Sequence, residues 1–222
     1  MRKQPGWPST QVGAIVLAGG TGRRLGGQSK PNLKLAQKRL LDHVLDGLLK
    51  SGFTAPNIAV IAPENVDVPP GVQRALENPP HGGPLAGLAV GLKALNNCEA
   101  VFVTTCDAPF SAQLATQLID ALHACTADGV CAIGTGNYAQ HLLAAYRTQS
   151  LKKEIEKRGG QVRNVSVKRF VAPMRLRTLE LDDDAQMDID TWEDYGRAEE
   201  CSSSGKVLGG NDSVVNTSET VT

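Results

Sequence analysis

Apolar residues recur along the chain in two alternating patterns. Residues 12–18 form a short, nearly uninterrupted apolar run, which is typical of a strand buried on both faces. Residues 40–49 place their apolar side chains three and four positions apart, which predicts an amphipathic helix that ends at Ser51-Gly52. The same criteria predict further strands at 57–62, 100–105, 129–133, 142–146 and 174–181, and further helices at 83–95, 111–124, 151–157 and from 191 onward.

This alternation predicts an α/β fold in which helices cover both sides of a mostly parallel sheet. Ligands of such sheets bind beyond the carboxyl ends of the strands, so the segments that follow strands are the first candidates for chemistry. Residues 161–170 fit neither pattern clearly. Two helix starts carry capping signals: Ser111 is placed to cap the helix at 111–124, and Thr191 with Asp194 forms a capping box for the last helix.

The composition limits the number of domains and the kinds of partner. With 222 residues, 41% of them hydrophobic, the chain can form one domain with a full core. We expect residues 1–200 to form this single domain, and residues 201–222, rich in Ser, Thr, Gly and Val, to be a disordered tail. Lys and Arg (23) balance Asp and Glu (23), which indicates neither nucleic acid nor an anionic membrane as a partner.

The balanced charge is unevenly distributed. The first 50 residues hold nine basic and two acidic side chains, residues 152–177 are again basic, and residues 180–200 are acidic. Basic elements and carboxylates in one small domain suit a phosphorylated ligand together with a divalent metal ion.

The sequence also indicates a compartment. No apolar run approaches the roughly 20 residues of a membrane span. Residues 12–18 are too short, and too far from Arg2-Lys3, for a signal peptide. Five cysteines without a Cys-x-x-Cys pair indicate reduced thiols, so we expect a cytoplasmic protein.

A glycine-rich segment, LAGGTGRRLGGQSKP at residues 17–31, directly follows the first predicted strand. Its glycines let the backbone approach a phosphate chain closely, and Arg23, Arg24 and Lys30 can neutralise a triphosphate. The segment is not a P-loop, because no lysine is followed by Ser or Thr in the required frame. Its glycines are also spaced one residue too widely for a dinucleotide-binding loop. The pattern therefore predicts a different kind of polyphosphate loop.

Carboxylates follow two later segments of the chain. Asp107 comes directly after the predicted strand at 100–105, at the sheet edge that also carries the glycine-rich segment. Carboxylate oxygens are the ligands that Mg²⁺ prefers, and phosphate oxygens can fill its other positions. Asp188 and Asp190 alternate with Ile189, so both can face one side of an extended segment and complete the metal shell. An acidic helix start, favourable through the helix dipole, is the alternative for this last pair.

Four segments resemble, in order and spacing, the molybdenum cofactor guanylyltransferases of the nucleotidyltransferase superfamily. They read LAGGTGRRLGGQSKP, ENPPHGGPLAGL, TTCDAPF and MDIDTWEDY, and the resemblance covers residues 12–200. It implies a Rossmann-like three-layer sandwich of the nucleotide-diphospho-sugar transferase type. It also implies transfer of GMP from GTP to the phosphate of molybdenum-molybdopterin, with Mg²⁺ as cofactor and pyrophosphate as second product. A molybdoenzyme or a cofactor-delivery protein is the implied protein partner.

The resemblance further implies roles for individual residues. Three backbone positions would contact the guanine base and ribose: Leu17, Ala18 and Gly19. Four residues would hold the triphosphate: Gly20, Gly22, Arg23 and Lys30. Asp107 would bind Mg²⁺ with Asp188 or Asp190 nearby, and Glu77 is the nearest candidate for the acid that the family carries before GPLAG. The implied catalytic residues are Arg23, Lys30 and Asp107.

The chain departs from the family pattern at several of these positions. Ser29 stands where the family often has Asp before the lysine, Trp192 stands in place of Pro, and Asp188 and Asp190 stand where Asn is common. Two alternatives therefore stay open at this point. One is a CTP-dependent molybdopterin cytidylyltransferase or another sugar- or polyol-phosphate nucleotidyltransferase. The other is a non-catalytic nucleotide-binding protein that delivers the cofactor.

Overall fold

The computed structural model describes residues 11–20, 23–134 and 136–204, and the side chain of Arg23 lies outside this set. The strands are β1 (Val12–Leu17), β2 (Lys34–Leu35), β3 (Lys38–Arg39), β4 (Ile58–Ile61), β5 (Gln73–Ala75), β6 (Ala100–Thr105), β7 (Gly129–Ile133), β8 (Ala139–Arg147) and β9 (Leu176–Glu180). The helices are α1 (Leu40–Lys50), α2 (Pro84–Ala94), α3 (Ala115–His123), α4 (Thr148–Lys157), α5 (Val167–Val171) and α6 (Trp192–Ser204).

Seven of the strands form one sheet in the order β5-β4-β1-β6-β8-β7-β9. Neighbouring strands are parallel except at β8, which runs antiparallel to both β6 and β7. The strands β1, β4 and β6 therefore end at the same edge of the sheet, where the loops after them meet. The expectation of an α/β fold with a mostly parallel sheet is confirmed.

Helices bury both faces of this sheet. Helices α1 and α3 pack against one face, and α2, α4 and α5 pack against the other. Side chains of β1 alternate between the two layers, so Val16 joins the first and Ile15 the second. Helix α2 lies especially close to the sheet, because a Cβ atom built on Gly91 would come within 2.7 Å of Ile15 Cγ2.

A third apolar cluster connects elements that are distant in sequence. It joins the turn at Arg23–Leu25, the small β2–β3 hairpin, Phe110, Ile189 and helix α6. The phenol of Tyr195 on α6 also donates a hydrogen bond to the carbonyl of Lys34 at 2.8 Å. This cluster fixes the glycine-rich segment next to the acidic segment at 188–190.

The structure corrects the predicted cap at Ser111. Residues Ser111–Leu114 form a 3-10 turn, and α3 begins only at Ala115. The Ser111 hydroxyl is fully buried, donates to the carbonyl of Ala108 at 2.7 Å and lies 2.6 Å from the Thr104 hydroxyl. It therefore braces the loop after β6 instead of capping a helix.

The predicted capping box at the start of α6 is confirmed. The Thr191 N–H donates to the Asp194 carboxylate at 2.9 Å, and the Asp194 N–H donates to the Thr191 hydroxyl at 3.2 Å. Helix α6 continues to Ser204, so the first four residues of the predicted tail are helical, and the rest of that tail lies outside the described residues. No helix of the described residues is long and apolar enough to cross a membrane.

Candidate active site

The loop that follows β1 begins at the shared edge of the three parallel strands. The Leu17 carbonyl accepts a hydrogen bond from the Cys106 N–H at 3.0 Å, and the Ala18 N–H donates to Ile61 at 2.8 Å. These two backbone groups are therefore engaged by the neighbouring strands. Gly19 and Gly20 come next and are exposed, so their backbone is open to a ligand. Gly22 and the Arg23 side chain, both predicted triphosphate contacts, lie outside the described residues.

Lys30 leads from this loop into the site. Its ammonium lies 2.5 Å from the Asp107 carboxylate and forms a second ion pair with Asp190. The Lys30 side chain is only 10% exposed, compared with 19% for Asp107 and 53% for Asp190. Burial alone would lower the pKa of Lys30, but hydrogen bonds and charges of the two carboxylates raise it above the usual value. The ammonium therefore stays charged and holds the two carboxylates together.

The acidic segment at 188–190 is anchored through its central residue. Ile189 is fully buried in the third cluster, and its N–H donates to the Asp107 carbonyl at 2.8 Å. Its neighbours Asp188 and Asp190 therefore lie beside Asp107, as their alternation with Ile189 predicts. The Asp194 carboxylate accepts a further hydrogen bond from the Asp190 N–H at 3.2 Å, which ties the segment to the start of α6.

Asp188 has an unusual electrostatic environment. Its side chain keeps solvent-accessible surface, but it lies inside a cleft where protein atoms displace much of the surrounding water. This desolvation, together with the negative charges of Asp107 and Asp190, raises the pKa of Asp188 to about 7. A site with such crowded carboxylates favours an additional cation.

The segment at 77–87 forms a braced loop and a helix start. The Glu77 carboxylate accepts a hydrogen bond from the Gly82 N–H at 3.1 Å, so in this structure it shapes its own loop. Arg163 donates to the carbonyls of Pro79 and Pro80 from outside the loop. Gly87 faces the sheet, where a Cβ atom would come 3.1 Å from Leu17 Cδ2. The predicted nucleotide contact of Glu77 stays a prediction.

A cleft of about 650 Å³ opens beside Asp107 and Asp188. Its walls combine the end of β6, the start of α2, the first half of β8 and the segment that leads into α5. Its polar lining includes Gln140, His141 and Lys168, and its apolar lining includes Leu142 and Val167. The volume is typical of a small-molecule site with an apolar body and a few orienting polar groups.

The comparisons with known proteins decide the family. Residues 14–174 match the family of the MobA-like NTP transferase domain. The chain belongs to that family. A molybdenum cofactor guanylyltransferase of Mesorhizobium japonicum is 36% identical over 126 residues, which are 53% of this chain and 56% of the relative. The chain thus spans about half the length of the curated relatives that it matches.

Solved structures support the fold of this MobA-like domain. The molybdopterin-guanine dinucleotide biosynthesis protein A from Archaeoglobus fulgidus has a TM-score of 0.69 at 22% identity, covering 86% of this chain and 98% of that chain. A Mycobacterium tuberculosis protein crystallised in complex with manganese has a TM-score of 0.62 at 17% identity, covering 86% of this chain and 98% of that chain. At these identities, the likeness establishes the architecture.

Sequence patterns do not identify several residues that the structure brings together at this candidate site. From the sequence, Ile189 is only the residue between two acids, whereas in the structure it is the buried anchor of the segment. No local pattern indicates that Lys30 pairs with Asp107 and Asp190, which are distant from it in the chain. His141 lies in the segment 140–147, which resembles the strand before a helix in the molybdopterin branch of the family, and Lys168 lies in the basic stretch 152–177, but neither pattern singles out these two residues as lining one cleft.

Proposed function

We propose that the protein transfers GMP from GTP to the terminal phosphate of molybdenum-bound molybdopterin and releases pyrophosphate. The single observation that carries the proposal is the Lys30 ammonium between Asp107 and Asp190, beside a glycine-rich loop. Membership of the MobA-like NTP transferase domain family supports nucleotidyl transfer, and the relative's name supports the guanine nucleotide and the molybdenum cofactor.

The donor nucleotide binds at the loop after β1. Gly19 and Gly20 have no side chain to obstruct a polyphosphate, and their exposed backbone can donate to it. Lys30 is within reach of that position, because a Cβ atom on Gly20 would lie 3.8 Å from Lys30 Cδ. Gly22 and Arg23 belong to the same loop and complete the proposed triphosphate contacts. The base and ribose lie beside Leu17, Ala18 and Gly19.

The carboxylates of Asp107 and Asp190 suit a divalent cation. Both reach the Lys30 ammonium, so their oxygens already converge on a point of positive charge. Among the described residues, no three acidic, histidine or cysteine side chains converge as a complete metal cage. Mg²⁺ does not need one, because it is commonly held by one or two carboxylates, substrate phosphates and water. When bound, such a cation would neutralise charge on the reacting phosphates.

Magnesium is the proposed ion, and Asp188 is the proposed additional ligand. The manganese complex of the structural neighbour supports a divalent metal ion as the cofactor of this chain. The raised pKa of Asp188, which lies beside Asp107 and Asp190, is consistent with a carboxylate that lacks enough positive charge around it.

Lys30 changes partner during the cycle. An ammonium is a compact single charge, so Lys30 cannot neutralise a triphosphate while two carboxylates hold it. Once Asp107 and Asp190 are engaged elsewhere, the ammonium is released and can reach a phosphate oxygen near Gly20. Lys30 thus keeps the carboxylates together before the ligands bind and becomes a phosphate ligand afterwards.

The acceptor occupies the cleft on the other side of Asp107. Lys168 is the basic residue from the 152–177 stretch that lines this cleft, and it can attract the acceptor's phosphate. An oxygen of that phosphate forms the new bond to the α-phosphorus, while the bond from the α-phosphorus to the bridging oxygen breaks and pyrophosphate leaves. The attacking phosphate is already anionic, so positioning and charge neutralisation suffice and no general base is required.

A nucleotide panel tests this proposal. The full chain is incubated with Mg²⁺, molybdenum-bound molybdopterin and each of GTP, CTP, ATP and UTP, and pyrophosphate release is measured. The proposal expects that, of the four nucleotides, GTP supports pyrophosphate release and the other three do not. It also expects no release from GTP when the acceptor is left out. Release with CTP would favour the cytidylyltransferase alternative. A GTP-induced rise in Tm without any release would favour a non-catalytic nucleotide-binding protein.

A further inference from the structure

Strand β8 leaves its regular ladder at the wall of the cleft. Its pairing with β7 passes from Cys131 opposite Ala144 to Ala132 opposite Gln140. The three residues between these positions on β8, at 141–143, are therefore extra in the register. Bulges of this kind bend a strand and re-aim its side chains, and they are frequent beside active sites. All three bulged residues line the cleft together with Asp107 and Asp188.

Buried groups behind the bulge fix the position of His141. The phenol of the fully buried Tyr146 donates a hydrogen bond to the His141 carbonyl at 2.8 Å. The buried Cys131 sulfur lies 3.6 Å from both the Tyr146 oxygen and the Nδ1 atom of His141. The imidazole therefore turns Nδ1 towards the protein interior, and Nε2 is the ring nitrogen that a ligand in the cleft can reach.

The ring is suited to recognising a neutral polar group. Burial, and secondarily the charge of Lys168, lower the pKa of His141, so the imidazole is neutral at neutral pH. A neutral ring has one donor and one acceptor nitrogen. Without a charge, it attracts a phosphate group much less than the Lys168 ammonium does. It is suited to a carbonyl, amide or ring N–H on the body of the bound molecule.

We propose that His141 is a specificity-determining residue for the acceptor, whose hydrogen-bonding edge it contacts through Nε2, while Tyr146 and Cys131 position the ring. This inference rests on the proposed function, because it assumes that the cleft holds the acceptor. The acceptor would be an organophosphate with a polar edge beyond its phosphate, seated against Leu142 and Val167. His141 has no role in activating the acceptor, since that phosphate is already charged.

Two matched variants separate this role from a structural one. In His141→Gln the side-chain amide falls near the position of Nε2, whereas in His141→Asn it falls near that of Nδ1. Contact through Nε2 predicts that Gln retains acceptor binding and Asn loses it. A purely structural bond between Nδ1 and Cys131 predicts the reverse order. Tyr146→Phe removes the hydrogen bond to the His141 carbonyl. We expect it to weaken acceptor binding as well, but less than His141→Asn does.

The experiment measures KM for acceptor and for GTP, and kcat, from pyrophosphate release by the full chain. We expect His141→Asn to raise the acceptor KM about tenfold, the effect of losing one buried hydrogen bond, with GTP KM and kcat within about twofold. The GTP-induced rise in Tm confirms that each variant is folded. An unchanged acceptor KM in the Asn variant, or Asn outperforming Gln, overturns the inference alone. No release by the unmodified protein overturns the proposed function and this inference with it.

Discussion

The Lys30 ammonium lies 2.5 Å from the Asp107 carboxylate, although 77 positions separate the two residues in the chain. The same ammonium pairs with Asp190, so one lysine joins the loop after β1, the loop after β6 and the acidic segment before α6. The proposed site therefore centres on a position between two carboxylates that holds a positive charge, next to the exposed backbone of the glycine-rich loop.

Replacing Lys30 tests whether the ammonium competes with a metal ion. We expect Lys30→Met to bind Mn²⁺ in the absence of nucleotide about tenfold more tightly, because the competing charge is gone. The affinity of the variant for GTP in the presence of Mn²⁺ should fall, because in the unmodified protein the Lys30 ammonium contacts phosphate once GTP is bound. Electron paramagnetic resonance of free Mn²⁺ and calorimetry give the two affinities. Lys34→Met, in an exposed lysine nearby, should change neither, and weaker Mn²⁺ binding by the Lys30 variant would contradict the exchange.

Asp107 is expected to be indispensable for turnover. Asp107→Asn keeps the size of the side chain but removes the charge, and we expect kcat/KM to fall about a thousandfold or more because charge neutralisation at the phosphates is lost. Pyrophosphate release measures this effect, and circular dichroism checks the fold. Asp46→Asn removes a carboxylate that pairs with Lys38 outside the site and should stay within about twofold. Turnover close to normal in the Asp107 variant would remove its assigned role.

These residues show what the sequence could predict and where it stopped. The apolar runs before Asp107 and before the glycine-rich segment predict two strands, and the glycines predict where the first of them ends. Both signals are visible in the sequence because burial and turn chemistry are local properties. The pairing of Lys30 with Asp107 and Asp190 depends on three loops that meet only in the folded chain, so no local pattern indicates it. The direction of β8 was equally hidden, because a strand buried on both faces has the same apolar pattern whether it runs parallel or antiparallel.

Asp188 should reduce the stability of the metal-free protein at high pH. The pKa of Asp188 is raised to about 7 in the folded state, so ionisation opposes folding from about pH 4 upward and does so fully above pH 7. In EDTA, Asp188→Asn should raise the unfolding free energy at pH 8 by about 1 kcal/mol, after allowance for solvent screening. The gain should vanish near pH 3, well below the unfolded-state pKa, where the carboxyl is mostly protonated in both states. Urea denaturation at both pH values measures it, and an equal gain at both would contradict the electrostatic explanation.

Ile189 links stability to the geometry of the carboxylates. Ile189→Ala leaves a cavity among Leu25, Leu35 and Phe110, and we expect it to lower the unfolding free energy by about 2–4 kcal/mol. Because Ile189 holds Asp188 and Asp190 beside Asp107, Mn²⁺ affinity should fall as well. Urea denaturation and the Mn²⁺ titration give the two values. Lost stability with unchanged Mn²⁺ affinity would show that the segment is positioned by other contacts.

Transfer of isotopic label tests the central claim most directly. The full chain is incubated with Mg²⁺, molybdenum-bound molybdopterin and GTP that carries ³²P at either the α or the γ position, and the products are separated. The account predicts that α label appears in the acceptor as a dinucleotide and that γ label appears in pyrophosphate. Label found only in GTP, or γ label released as inorganic phosphate, would contradict it.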